Sequence, residues 1–376
     1  MNYRDLDSSV LSSFVDYDSH ECIRKFEDPQ TGLKAFIAVH NTNLGPALGG
    51  CRMYPYADEA DAIRDVLRLS KGMTYKNALA GLPLGGGKSV IIGNPQDMKT
   101  ASLIAAMGKA VHTLEGRYIT AEDSGTNVAD MEVMAAHTPY VMGRQDPDSA
   151  LGGDPSPKTA YGVFCGMRAA VRHRYQRDDM RGMTVAVQGL GAVGFDLCRR
   201  LHEQGASLIV TDIQSKSLDR ARDAFGDHVR IVSPDDIFGV EADIFAPCAM
   251  GAQINQDTIA RLKVGVIAGA ANNQLATPQD AARLEEKHIL YAPDYAINAG
   301  GVIAVAYEYL ERTGKNTFAH DLSYDNMVKH VEQIEKTLDR IFNIADARGV
   351  TPDRAADELA EMRFMKAESQ AVMCAE

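Results

Sequence analysis

The sequence predicts an α/β protein of two domains, and three features carry that prediction. From Thr184 to the region of Ile289, short apolar runs alternate with helical patterns, the order expected of a mostly parallel sheet flanked by helices. One run, Thr184–Gln188, leads into Gly189-Leu-Gly191-Ala-Val193-Gly194, a glycine turn that opens a helix. Ahead of it, Gly143 to Lys158 is rich in Gly, Pro, Asp and Ser and reads as a hinge. Together these place a first domain over residues 1–145 and a second over 150–330.

The elements follow in order. Lys34–His40 reads as a strand, and Asp58–Lys71 as a helix with Ala62, Val66, Leu69 and Met73 on one face. Lys76 sits at the edge of that face, where a lysine ordinarily snorkels to solvent. Ser89–Ile92 and Tyr118–Ala121 are further strands. Past the hinge come the strand Thr184–Gln188, a helix over Phe195–Gln204 and the strand Ala206–Thr211. More strands begin near Val229, Asp243, Val264 and Ile289. Asn298-Ala-Gly300-Gly301 precedes an apolar helix that starts near Val302. Met327, Val331, Ile334, Leu338, Ile341 and Ala345 then form one buried helical stripe, which Gly349 stops. Thr351-Pro352-Asp353 caps another helix, with proline at its first position.

Composition excludes several function classes. With 45% hydrophobic and 24% charged residues, this is an ordinary globular chain of 376 residues. A net charge of −12 supplies no basic field to attract nucleic acid or an anionic membrane, so neither partner is expected. Cys22, Cys51, Cys165, Cys198, Cys248 and Cys374 form no C-x-x-C pair and lack metal-finger spacing, so no metal is expected. There are 16 methionines, no signal peptide and no apolar run of spanning length, which reads as a reduced, cytoplasmic protein.

Four segments carry chemistry. Lys88 follows Gly85-Gly86-Gly87 and enters an apolar run, a costly place for an ammonium unless something negative visits it. Lys76 lies twelve residues earlier; two cations near one another each lower the other's pKa, which makes a lysine usable as a base. Taken as a loop, Gly85–Ser89 also invites comparison with a phosphate-binding P-loop. That motif needs glycine at residue 82, where the chain has Leu82, and Gly81 is out of register. Asp123, in Glu122-Asp123-Ser124-Gly125, reads equally as a turn cap and as a reactive acid at a strand end. Asn272 and Asn273 follow the Val264–Ala268 run, where they either close a turn or offer amides to a ligand.

The turn at 189–194 is the most specific of the four. Its first glycine permits the tight turn, its second lets a pyrophosphate reach the helix N-terminus, and its third lets helix and strand pack. Asp212, 18 residues past Gly194, ends the next strand. A carboxylate there accepts hydrogen bonds from a ribose and repels a 2′-phosphate, which favours NAD over NADP.

Seven motifs together resemble the glutamate, leucine, phenylalanine and valine dehydrogenases, most of all the leucine dehydrogenase branch. They are Pro46-Ala-Leu48-Gly49-Gly50, Lys71-Gly-Met73-Thr-Tyr-Lys76-Asn77, Leu84-Gly-Gly-Gly-Lys88, Ala121-Glu-Asp123, Ala246-Pro-Cys248-Ala249, Ala271-Asn272-Asn273 and Tyr291-Ala-Pro-Asp294. The likeness runs from about residue 30 into the C-terminal region. It implies an N-terminal α/β domain for substrate binding and oligomerisation, completed by C-terminal helices over about 335–376. Across a cleft from it stands a modified Rossmann domain with one strand reversed. The implied activity is NAD-dependent, reversible oxidative deamination of an L-amino acid to a 2-oxo acid and ammonia, by a homo-oligomer, an octamer or a dimer.

The resemblance also implies roles. Lys76 holds the substrate carboxylate, with Gly49, Met73 and Asn273 beside it. Lys88 is the base that activates water, and Asp123 carries the proton to and from the amino nitrogen. Thr159, Cys248, Ala249 and Asn272 join Gly189, Gly191, Val193, Gly194 and Asp212 at the cofactor. Leu48, Ala121, Val302 and Val305 shape the side-chain pocket; all are apolar, so nothing would neutralise a glutamate side chain. Leucine, isoleucine and valine are the expected substrates. Gly49-Gly50-Cys51-Arg52 is also similar to some phenylalanine dehydrogenases, which keeps an aromatic substrate in view. Ser124 stands where many relatives carry an apolar residue. The alternative outside enzymes is a silent NAD-binding sensor on the same fold.

Overall fold

A computed structural model describes residues 1–145 and 149–375, with side chains as far as Met365. Asp146, Pro147 and Asp148 of the expected hinge, and the Cys374 side chain, lie outside the described residues. The chain divides into two compact units. The first comprises Met1–Asp154, Ala304–Tyr324 and Ala360–Glu376, and the second Pro155–Ile303 and Asp325–Leu359.

The first unit is built on a mixed six-stranded sheet of β1 (Asn2–Asp5), β2 (Cys22–Asp28), β3 (Leu33–Asn41), β4 (Ala47–Tyr54), β5 (Gly85–Ile92) and β6 (Tyr118–Glu122), in the order β1-β2-β3-β5-β4-β6. Pairing is antiparallel from β1 through β5 and parallel for β5–β4 and β4–β6. Its helices are α1 (Ser8–Leu11), α2 (Glu59–Leu79), α3 (Pro95–Met98), α4 (Ala101–His112) and α5 (Val128–Ala135). On one face Ala62, Ile63, Val66 and Leu67 of α2 pack against Ile23, Phe36, Ala38 and Val90. On the other, Leu103, Ile104, Met107 and Val111 of α4, with Met131 and Met134 of α5, meet Ala35, Ile37, Cys51 and Ile91. Both faces are covered, so β3 reads as a continuous apolar run.

Two sequence expectations change here. Helix α2 does not stop at Lys71. Tyr75, Ala78 and Leu79 stay buried, and the helix ends only before Gly81, at φ +79°. Lys76 therefore belongs to its last turn, where a cation suits the helix dipole. Gly85–Gly87, expected as a loop, is the first half of β5. A Cβ on Gly85 would lie 2.0 Å from the Asn41 carbonyl oxygen, and one on Gly86 2.0 Å from the Thr74 nitrogen. These glycines serve close packing of α2 and β3 on the strand, not chain reversal.

The second unit opens with α6 (Ser156–Tyr175) and holds β7 (Thr184–Gln188), β8 (Ser207–Thr211), β9 (Val229–Ile231), β10 (Ile244–Pro247), β11 (Val266–Ile267) and β12 (Leu290–Tyr291). Their order is β12-β11-β10-β7-β8-β9. Every pairing in it is parallel, so the reversed strand that the resemblance implies is not among the described strands of this sheet. Helices α7 (Ala192–Glu203), α8 (Ser215–Phe225), α9 (Gln256–Arg261), α10 (Gln279–Glu286) and α11 (Asp294–Ile297) connect the strands or follow them.

Three long helices close the chain: α12 (Gly300–Thr313), α13 (Tyr324–Arg348) and α14 (Pro352–Ala375). The six-residue stripe of α13 is buried as expected. Residues 335–359, expected to complete the first unit, pack in the second instead. The cause is α6, where Gly162 and Gly166 leave room for the Ile334 and Leu338 side chains; a Cβ would come within 2.7 and 2.6 Å of them. Arg172 of α6 adds an ion pair to Asp339 at 2.9 Å. No described helix is long and apolar enough to cross a membrane.

Candidate active site

The first unit gathers its ionisable groups where β4, β5 and β6 run parallel. Lys88 projects from β5 with its side chain only 7% exposed, and its ammonium contacts Asp123 Oδ2 directly. Asp123 stands one residue past β6. Its amide donates to Thr126 Oγ1 at 3.0 Å, Thr126 Oγ1 donates to the Cys51 carbonyl at 2.8 Å, and Ser124 N–H donates to Asp123 Oδ1 at 2.5 Å. Asp123 is thus at once part of a turn and the partner of Lys88. Ser124 holds the carboxylate through its backbone, and its side chain is exposed.

Glycine makes the pair possible. A Cβ on Gly50 would lie 2.9 Å from Asp123 Cβ and 2.6 Å from the Glu122 carbonyl oxygen. One on Gly49 would lie 1.8 Å from the Gly87 carbonyl oxygen and 3.2 Å from Met73 Cγ. The Tyr118 hydroxyl, buried behind the strand, donates to the Gly49 carbonyl at 2.7 Å and lies 3.0 Å from Ser89 Oγ. Burial alone would raise the Asp123 pKa. The Lys88 ammonium, and after it the Arg52 guanidinium, outweigh burial and hold the carboxyl well below the ordinary range.

Sequence reasoning gave Arg52 no role. Its Nη2 lies 3.6 Å from Asp123 Oδ1. Strand alternation puts residues 50 and 52 on one side, so the glycine that makes room for Asp123 was the signal that could have found it. Of the remaining first-unit candidates, Lys76 and Met73 are half-buried on α2, whose Thr74 meets Gly86. Leu48, Ala121 and Val305 are buried. Val302 is half-buried on the part of α12 that belongs to the second unit.

In the second unit the glycine turn follows β7, whose neighbours β8 and β10 lie on opposite sides. This is the switch point at which open α/β sheets bind ligands. Gly189 takes φ +95°. Gly191 has nothing within 4 Å of where a Cβ would stand, and a Cβ on Gly194 would lie 2.0 Å from the Gly189 carbonyl oxygen. Turn, open approach and close packing are the three properties a pyrophosphate cradle needs, so the residues fit a dinucleotide. Val193 lies in the first turn of α7. Asp212 Oδ2 accepts the Leu190 N–H at 2.6 Å and Oδ1 that of Gln214 at 2.7 Å. A carboxylate has about four acceptor sites, which leaves capacity for a ribose.

Cys248 and Ala249 follow β10 and border the turn: a Cβ on Gly189 would lie 2.8 Å from Ala249 Cβ. Thr159 sits in the first turn of α6, beside Gly301. Asn272 and Asn273 are exposed, and Asn273 takes φ +51°. Asn298 Nδ2 donates to Asn272 Oδ1 at 2.7 Å, and buried Asp294 accepts the Gln274 N–H at 2.7 Å. Asn298, Gln274 and Asp294 support the asparagine turn from behind.

A family model described as Glu/Leu/Phe/Val dehydrogenase, dimerisation domain, matches residues 20–140. A second, described as Glutamate/Leucine/Phenylalanine/Valine dehydrogenase, matches residues 207–371. The chain is 49% identical to the leucine dehydrogenase of Bacillus subtilis over 94% of each chain. It is 51% identical to that of Thermoactinomyces intermedius, over 94% of this chain and 93% of the relative. Among solved structures, L-tryptophan dehydrogenase from Nostoc punctiforme superposes with a TM-score of 0.76 at 43% identity, covering 93% of this chain and 97% of that one.

Proposed function

The chain belongs to the Glu/Leu/Phe/Val dehydrogenase family, and on that premise we propose how its residues carry out the reaction. It catalyses the reversible oxidative deamination of L-leucine and other branched-chain L-amino acids to 2-oxo acids and ammonia. The observation that carries the mechanism is the direct contact of the Lys88 ammonium with the Asp123 carboxylate.

The cofactor is a nicotinamide dinucleotide, which when bound takes a hydride from the substrate Cα. We assign it as NAD, because the Asp212 carboxylate beside Leu190 would repel a 2′-phosphate. Gly189, Gly191, Val193 and Gly194 hold its pyrophosphate, with Thr159, Cys248, Ala249 and Asn272 alongside. Lys76 clamps the substrate carboxylate with the Gly49 backbone, Met73 and Asn273. Lys88 acts in its neutral form, after its ammonium has released a proton through Asp123 to solvent (the one proton that net deamination releases), and then takes a proton from the water that attacks the substrate iminium. Asp123 accepts a proton from the amino nitrogen and returns one to the departing ammonia. Because the two side chains touch, a proton passes between them with no bridging water.

Leu48, Ala121, Val302 and Val305 leave the substrate side chain an apolar site. Such a site separates neighbouring substrates by only about 1–3 kcal/mol per methylene, so leucine, isoleucine and valine all react. The likeness to an L-tryptophan dehydrogenase keeps an aromatic substrate as the second reading. The domains we infer are a substrate-binding and oligomerisation domain over 1–145, completed by C-terminal residues from 360, and a dinucleotide domain that begins at about 150. The dimerisation-domain match supports a homo-oligomer. The five cysteines among the described residues are free, which suits a reducing compartment, and we assign the cytoplasm. The test is formation of reduced nicotinamide by the purified protein with NAD and leucine, isoleucine, valine, phenylalanine, tryptophan or glutamate. Branched-chain substrates should give the highest kcat/KM. A flat trace with every amino acid would leave only a dinucleotide-binding sensor.

A further inference from the structure

Arg52 and Asp65 have no part in the roles just assigned, yet they form a chain of charge that ends on Asp123. Arg52 Nη2 lies 3.6 Å from Asp123 Oδ1, while its Nη1 donates to Asp65 Oδ2 at 3.0 Å. The Tyr56 hydroxyl donates to that same Asp65 oxygen at 2.6 Å. Arg52 Nε is buried and makes no hydrogen bond among the described residues. One guanidinium is therefore divided between two carboxylates, and Asp65 has the shorter contact. Asp65 lies on α2 and Arg52 on β4, so the chain ties the covering helix to the reacting strand ends.

We propose that Arg52 is a positioning residue that fixes the orientation of Asp123 and how firmly it holds its proton, and that Asp65 limits that grip by drawing the guanidinium away. The inference rests on the reading of Asp123 as the proton carrier. An acid that must both take and return a proton is disabled if two full cations hold it ionised. Lys88 faces one Asp123 oxygen and Arg52 the other. From β4 the neighbouring Cys51 thiol adds no charge near neutrality, since burial pushes it up to about 12. Burial likewise raises Tyr56. Glu122, adjacent in the chain, is raised by burial and by the Asp154 and Asp123 charges. The adjustable charge at Asp123 is therefore Arg52, set by its share with Asp65.

The test is the pH dependence of kcat for leucine deamination, whose acid limb reports the carboxylate in the bound complex. Arg52→Gln should move that limb up by about one pH unit. Arg52→Lys should return it toward the parent position. Asp65→Asn, which leaves Arg52 to Asp123 alone, should move it down. KM for leucine should stay within about twofold, since neither residue touches the carboxylate clamp. General loosening of the site does not shift one limb in opposite directions. Shifts of the same sign, or an unmoved limb with lowered kcat, would overturn the inference. Should Arg52→Gln fail to fold, the Asp65→Asn and Arg52→Lys profiles decide it on the same terms. Asp123→Asn run in parallel separates the two levels. If it stays active, the proton-carrier reading fails; if it is inactive while the other limbs stay put, only the present inference fails.

Discussion

Gly85-Gly86-Gly87 in the first unit and Gly189-Leu-Gly191-Ala-Val-Gly194 in the second differ in what occupies the space where a side chain would stand. The β5 glycines all have negative φ, and their missing Cβ positions are filled by protein: Asn41, Thr74 and, for Gly87, the Tyr118 ring at 2.7 Å. At the turn, Gly189 needs its positive φ and Gly194 its packing, but the space at Gly191 is open. One segment uses glycine to bring the chain's own elements together around a lysine. The other leaves open space at Gly191, at the N-terminus of α7. A glycine-rich motif is therefore understood from φ and from the neighbour of each absent Cβ, not from spacing alone.

If the filled segment exists to present Lys88, Lys88→Ala should give the largest effect. We expect kcat to fall by about 10²–10⁴-fold while dinucleotide affinity, measured by fluorescence titration, is retained. Near-normal turnover would detach the segment from the chemistry. Gly86→Ala should come next, as a loss of stability. Its Cβ meets backbone that cannot yield, which costs about 1–3 kcal/mol or more in urea unfolding.

Stability against pH extends the same side of the comparison. Thr74, which fills the Gly86 space, bonds His40 Nδ1 at 2.8 Å, and the His40 ring lies 4.7 Å from that of His20. Burial pushes His20 down to about 4, against the Leu67 carbonyl and Asp18, which favour the charged form. Burial and then His20 push His40 to about 3, with Asp18 opposing and Lys71 assisting. Both rings are thus neutral when folded, while the unfolded chain takes up protons near 6.5. Their contribution is complete above that value and is lost as pH falls from 6.5 towards 4 and 3. Unfolding free energy should drop by about 2 kcal/mol per histidine between pH 7 and pH 5. His20→Asn should flatten the slope, and an unchanged slope would reject the pair as its source.

Gly191→Ala should be the mildest change and the most direct contrast with Gly86→Ala. With φ −63° and open space, alanine is tolerated, so Tm should hold while NAD binds about tenfold more weakly. Loss of stability at Gly191 with none at Gly86 would invert the comparison.

Much of the second unit was legible from local pattern. Strand β7 has the expected boundaries, β8 begins one residue late, and the stripe on α13 is buried as its spacing required. The first unit was harder. Strand β4 contains Gly49, Gly50 and Arg52, which suppress any strand pattern, and its existence follows from pairing with β5 and β6. Helix α2 runs on past Lys71 because Gly72 sits in open space and the buried face continues beyond it. The destination of α13 depended on two glycines of a helix that no pattern had linked to it.

The sequence by itself determined the strand–turn–helix around Gly189–Gly194, the apolar stripes and the residue types available for acid–base chemistry, because those depend on φ preference and on periods of two or 3.6 residues. Only the tertiary structure decided that Lys88 meets Asp123 across 35 positions of chain, that Gly50 makes room for the meeting, and that Arg52 is shared with Asp65. Contacts of that kind are set by strand order and by the volume left between packed backbones, quantities that no local stretch of residues contains.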